Sequence, residues 1–159
     1  MKKIFGLVVI AMMFLSSCVD SPEYPDEPVL TFISFSKDTV RQSLDTNIIT
    51  IAFTDGDGDL GAIATDTFFN LFLTDITLGA TFPYRIPFIP KQGIGNGISG
   101  EIELTLLPTD ICCDSVPLPC FKHAGAADET ISYEVEVEDR AGNRSAPLKL
   151  PPIRMRCDY

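Results

Sequence analysis

Three aspartates at every second position, with glycine between them, stand out in the stretch Phe53-Thr54-Asp55-Gly56-Asp57-Gly58-Asp59-Leu60-Gly61. Carboxylates this close in sequence suit one kind of chemistry well: oxygen coordination of a hard divalent cation such as Ca²⁺, which takes 6–8 oxygens in flexible geometry. Gly56 and Gly58 let the backbone curl, so that successive carboxylates converge instead of pointing to opposite faces. The competing reading is a solvated Asp-Gly loop between two strands, with Asp chosen for turn formation.

The spacing departs from the helix–loop–helix calcium loop. That loop wants glycine at its sixth position and glutamate at its twelfth. Counted from Asp55, the sixth residue is Leu60, the seventh Gly61 and the twelfth Asp66. No flanking helical periodicity is present. Any cation here stiffens loops and does no chemistry.

Cysteines form the second set with chemistry. Cys112, Cys113, Cys120 and Cys157 remain once Cys18 is set aside. Four cysteines in an exported chain read as two disulfides, with three connectivities. A bond between adjacent Cys112 and Cys113 would close a strained ring. This leaves Cys112–Cys120 with Cys113–Cys157, or Cys113–Cys120 with Cys112–Cys157. The longer bridge contributes on the order of 3 kcal/mol by restricting the unfolded chain. The rival is a zinc site of three thiolates and His123, which lies three residues after Cys120. An oxidising compartment favours the disulfides.

The amino terminus supplies that compartment. Lys2 and Lys3 precede Ile4–Leu15, an apolar run of 12 residues. A bilayer-spanning helix needs about 20 residues, so this pattern is a secretory signal. Leu15-Ser16-Ser17-Cys18 resembles the bacterial lipobox. The resemblance implies cleavage before Cys18, which then carries the acyl chains (palmitate among them) and anchors the protein. More than one chain is needed for stable anchoring. Residues 1–17 are thus the expected signal peptide, 18–28 a lipidated flexible tether and 29–159 the folded domain.

Removing residues 1–17 takes away Lys2 and Lys3, leaving 10 basic and 22 acidic residues, a net charge of −12 over 142 residues. Such a chain lacks the clustered Lys and Arg that nucleic acid requires. Its length fits one domain. Residues 19–28, VDSPEYPDEP, hold three prolines and four acids and read as an extended, solvated spacer. Acids just behind the lipid cysteine resemble the surface-export signal of Bacteroidetes-type lipoproteins. The placement implied is the outer membrane of the cell envelope, with surface display as one of its two faces.

Beyond the tether the pattern is strands. Segments at 30–35, 47–53, 68–73, 81–89, 98–107, 131–137 and 146–155 are apolar or alternate. The segment 81–89, with Pro83 and Pro87, reads as an irregular edge strand. No helical period is sustained after the signal. Short strands separated by Gly, Pro, Asp and Asn turns argue an all-β fold, a β-sandwich. Phe32, Phe35, Phe53, Phe68, Phe69 and Phe72 are expected in its core. Residues 111–129, with the cysteines, read as an inserted loop.

The order of elements, and Val137-Glu138-Asp139-Arg140-Ala141-Gly142-Asn143-Arg144-Ser145 in particular, resemble bacterial extracellular immunoglobulin-like modules, whose penultimate strand ends in a motif like V-x-D-x-A-G-N-x-S. Gly142 and Asn143 tolerate positive φ there, and Asp139 accepts hydrogen bonds from turn amides. In such a sandwich the loops after the second and sixth strands share one end. The resemblance therefore implies that Asp55, Asp57 and Asp59 face Asp139 and Asn143. Carboxylates about 5 Å apart repel by roughly 3 kcal/mol at an effective dielectric of 20, so water or Ca²⁺ must intervene.

Enzymatic signatures are few. There is one histidine, no tryptophan, no Gly-x-Ser-x-Gly elbow and no phosphate loop. Phe82, Tyr84 and Phe88, set among prolines, are candidate contacts to a glycan or envelope protein. Three functions stay in view: a lipid-anchored binding or accessory module, a structural envelope spacer, and a carbohydrate-processing hydrolase, for which no carboxylate pair is singled out.

Overall fold

The computed structural model describes residues 23–65, 67–91, 97–107 and 128–157. The protein is all-β, with no helix among the described residues. Ten strands follow one another: β1 Val29–Phe35, β2 Thr39–Arg41, β3 Asn47–Asp55, β4 Leu71–Asp75, β5 Ala80–Tyr84, β6 Ile98–Leu106, β7 Glu129–Ile131, β8 Tyr133–Val137, β9 Leu148–Lys149 and β10 Ile153–Arg156. They form three sheets, ordered β1-β3-β6, β2-β10-β7 and β5-β4-β8-β9.

Period-2 patterning explains the central strands. In β3, Asn47, Ile49, Ile51, Phe53 and Asp55 are buried and the intervening residues half-buried. In β8, Tyr133, Val135 and Val137 are buried and pair with Asp75, Leu73 and Leu71 of β4. All three sheets feed one apolar cluster, which includes Ile51, Leu73, Leu104, Val135 and Met155.

A bulge in β1 resolves an apparent phase error. Phe32 and Phe35 are three apart, which in a regular strand puts them on opposite faces. The register slips between Phe32 and Ser34, so Phe32 pairs with Ile51 and Phe35 with Ile49. Both rings thereby pack against the core, with centroids 4.8 Å apart.

Two expected strands are each divided. The run 131–137 breaks at Ser132: Ile131 pairs with Ile153 of β10, while Tyr133–Val137 joins β4. The run 146–155 breaks at Pro151-Pro152, which lack the N–H a ladder needs. β9 lies on β8, and β10 sits between β2, parallel, and β7, antiparallel. The 81–89 segment is strand only as β5, at a sheet edge. Phe68 and Phe69, expected in the core, are exposed at 42 % and 55 %, because β4 begins only at Leu71. Phe72 is half-buried, with the Arg144 guanidinium 5.0 Å from its ring centroid.

β2 carries no alternating signal of its own. A charged clamp follows it: Asp45 accepts from Lys37 Nζ at 2.7 Å, from Arg41 N at 2.7 Å and from Arg41 Nε at 3.0 Å. Arg41 and Lys37 hold the Asp45 carboxyl well below the usual carboxylate range. Asp45→Ala is expected to lower urea-unfolding stability by about 1–2 kcal/mol, chiefly through the lost Arg41 N–H bond. The exposed ion pairs contribute less, because solvent screens them.

The tether's described end lies against the domain. Pro28 is buried, Tyr24 half-buried, and the Pro25 carbonyl accepts from Gly56 N at 2.8 Å. Cys157 is fully buried in the core cluster. Cys18, Cys112, Cys113, Cys120 and His123 lie outside the described residues.

Candidate metal centre

β3 and β8 end on one side of the molecule, and each delivers an aspartate at its exit. Asp55 is the last residue of β3. Its Oδ2 accepts from Asp59 N at 2.9 Å and Leu60 N at 2.8 Å, curling the loop back over its own start. Gly58 supplies the left-handed turn that this needs, with φ 71°. Leu60 is fully buried and pins the loop to the core.

Asp139 follows β8. Its Oδ1 accepts from Asn143 N at 2.8 Å and its Oδ2 from Asn143 Nδ2 at 2.9 Å. Gly142 takes φ 90°. Ser145 closes the turn, its Oγ accepting from Val137 N at 3.0 Å. Arg140 bridges the two tips by donating from Nη1 to the Gly61 carbonyl at 2.8 Å.

Asp55, Asp57, Asp59 and Asp139 each place a carboxylate oxygen within 4.8 Å of the other three. The expected meeting of residues about eighty apart in sequence is therefore observed. Asn143 has a different place. Both of its amide donors hold Asp139, so it orients that carboxylate toward the other three. Nor does it take positive φ; Gly142 does.

The residues fit a hard cation. Asp55 is 0 % exposed and Asp139 3 %. Oδ1 of Asp55, Asp57 and Asp59 are all buried and make no hydrogen bond. A buried carboxylate oxygen without a partner is costly, and a shared cation would offset that cost for all three. The set is all oxygen, which suits Ca²⁺ or Mg²⁺ better than zinc. Burial, then the charges of Asp57 and Asp59, push the Asp55 carboxyl up to about 6, against the pull of its Leu60 and Asp59 amide bonds. Burial, then Asp139 and Asp57, raise Asp59 as well, while Arg140 opposes them.

The sign of the pH effect follows. In the unfolded chain Asp55 loses its proton near 3.9; in the cation-free fold it keeps it to about 6. Between those values the folded state binds more protons, so stability falls as pH rises through the window, and the loss is complete above it. Asp45 opposes this trend near the bottom of the window, where its unfolded form still titrates, but above about pH 5 it is ionised in both states and does not mask the fall. In chelator the melting midpoint is expected to drop between pH 5 and pH 7, by the equivalent of on the order of 2 kcal/mol, and millimolar Ca²⁺ should remove the drop. A midpoint that rises over the same interval in chelator would contradict the burial of these charges.

The candidate ligand aromatics divide. Phe82 and Tyr84 are half-buried, and Tyr84 packs on the core. Phe88 is 51 % exposed, with the Arg140 guanidinium 5.6 Å from its ring centroid. It lines a shallow pocket with Ala62, Arg85 and Pro87, beside the aspartate loop through the Ala62–Pro87 bridge. A second cleft, about 430 Å³, lies between β6 and residues 84–89.

Sequence reading passed over Asn70, Arg140 and the Tyr24–Gly56 contact. Asn70 is fully buried and joins the start of β4 to Tyr84, Ile86 and Glu138. A lone asparagine inside FFNLFL was its only signal. No family model, no curated protein and no solved structure matches the chain.

Proposed function

We propose that the chain is a lipid-anchored cell-envelope protein whose immunoglobulin-like β-sandwich is a calcium-stabilised binding module for a glycan or an envelope-protein partner. The observation that carries the reading is the strand order. β1-β3-β6 and β5-β4-β8-β9 divide the chain as the A-B-E and C′-C-F-G sheets of an immunoglobulin-like sandwich divide it. That arrangement supports placing the loops after β3 and β8 at one end, where the aspartates meet and Phe88 is exposed. In such sandwiches the loop-bearing ends carry recognition. Four carboxylates supply part of the 6–8 oxygens Ca²⁺ takes, and the ion holds the tips in one conformation. The reading assigns no reaction to the chain.

Anchoring and binding are tested separately. Cys18→Ser is expected to move the protein from the detergent-extracted membrane fraction to the soluble fraction. Tight membrane association that survives the substitution, and a salt wash, contradicts lipidation. In native gels cast with soluble cell-envelope polysaccharide, the wild-type protein is expected to be retarded, and Phe88→Ala less so. Equal mobility of both with and without polysaccharide, in the presence of Ca²⁺, leaves a protein partner or the spacer role in place of glycan capture.

A further inference from the structure

The tether makes its contact on the metal loop itself. Pro25 O accepts from the N–H of Gly56, which stands between Asp55 and Asp57. A Cβ at position 56 would overlap the Tyr24 carbonyl oxygen and lie 2.7 Å from both C and O of Pro25. Yet Gly56, unlike Gly58, has no left-handed φ. The loop's own conformation does not require glycine at 56; the tether's approach does. A second glycine repeats the pattern. A Cβ on Gly97 would lie 2.9 Å from Cδ2 of the Tyr24 ring and 3.4 Å from the Asp55 carbonyl oxygen. Tyr24 is thus seated over the Asp55–Gly56 peptide, in a place kept free of side chains by Gly56 and Gly97.

Charge ties this seat to the cation. The docked residues are flanked by exposed Glu23, Asp26 and Glu27. Without a cation, four neighbouring carboxylates repel each other and oppose the approach of that acidic segment. A divalent ion neutralises the cluster and holds the curled loop that presents the Gly56 N–H. We propose that loading of Asp55, Asp57, Asp59 and Asp139 with a divalent cation and docking of Tyr24–Pro25 on Gly56 are one coupled equilibrium. The ion would thereby set how the domain is held relative to its N-terminal anchor. This rests on the cation site proposed above, and coupling requires reciprocity: docking must tighten cation binding by the same factor.

The test uses the full chain in detergent, with Ca²⁺ as the ligand. A glutamate-specific protease cleaves after Glu23, next to the docked residues, and its rate reports the undocked population when docking is fast. Saturating Ca²⁺ is expected to slow that cleavage about tenfold relative to chelator, within the usual span of coupling strengths. Gly56→Ala should be cut rapidly with or without Ca²⁺, while calorimetry still detects Ca²⁺ binding, weakened by the same factor. Tyr24→Ala, which leaves the loop untouched, should do the same. Calorimetric Ca²⁺ binding with unchanged cleavage overturns the coupling and leaves the site standing. Absence of any Ca²⁺ heat overturns both. Variants that remain protected like the wild type overturn the docking contact.

Discussion

Asp55→Asn will make the calcium-free protein more stable and will abolish its response to calcium. The direction is unusual for a fully buried polar residue, and it follows from what the two Asp55 oxygens do. Oδ2 accepts from Asp59 N and Leu60 N, and an asparagine oxygen takes over both bonds. Oδ1 has no hydrogen bond, and an Nδ2 there becomes a donor toward the neighbouring carboxylates. The substitution removes a charge that burial and Asp57 and Asp59 disfavour. With the carboxyl pushed up to about 6, the gain at pH 7 is on the order of 2 kcal/mol. The wild type instead draws on binding: at a hundredfold excess of Ca²⁺ over its Kd, the fold gains about 2.7 kcal/mol. Thermal unfolding of both proteins, in chelator and in millimolar Ca²⁺, should therefore cross over. The variant melts higher in chelator, and the wild type closes or reverses the gap with Ca²⁺. Asp55→Ala, which loses the turn bonds as well, should melt lower than wild type in both. An asparagine variant that is less stable in chelator, or that keeps the calcium increment, would show that these carboxylates form a hydrogen-bonded loop and not a cation site.

What was legible in the sequence, and what was not, divides along the range of the forces involved. Period-2 burial is local, so β3, β6 and β8 could be read from Ile49-x-Ile51-x-Phe53, Ile102-x-Leu104-x-Leu106 and Tyr133-x-Val135-x-Val137. The aspartate cluster was legible for a different reason. Three of its members lie in one short loop, and the resemblance of residues 137–145 to a known turn supplied the fourth. The features that were missed depend on the third dimension. Ser132 ends one ladder and starts another because its neighbours pair with different sheets. Phe68 and Phe69 look like core until β4 is seen to begin two residues later. β2 exists only because β10 lies beside it in parallel. The role of Gly56 is invisible without the tether, since in the sequence it is one of two matching glycines. Only the φ values and the distance to Pro25 separate a turn-forming glycine from one that makes room.

Asn70→Ala will destabilise the fold more than any other polar substitution considered, by about 3 kcal/mol. Asn70 is fully buried and Ile86 5 % exposed. The side chain pairs both backbone groups of Ile86: its Oδ1 accepts from Ile86 N at 2.7 Å, and its Nδ2 donates to Ile86 O at 3.3 Å. Alanine leaves Ile86 N buried and unpaired, at about 1–3 kcal/mol, removes the weaker of the two bonds to Ile86 O, which keeps its bond from Ala62 N at 2.9 Å, and opens a small void besides. The backbone of Asn70 makes two further bonds, N to Tyr84 O at 3.1 Å and O from Glu138 N at 3.0 Å. These survive the substitution, and the second holds the residue before Asp139. The calcium increment in unfolding free energy should therefore persist in Asn70→Ala, while the baseline drops. Asn70→Asp should be no rescue, since it keeps the acceptor for Ile86 N but sets a buried charge against Ile86 O. Urea unfolding in chelator and in Ca²⁺ measures both quantities on the same protein. A loss below about 1 kcal/mol would mean that water satisfies Ile86. A lost calcium increment would mean that the side chain, and not the Glu138 bond, holds the Asp139 turn in place.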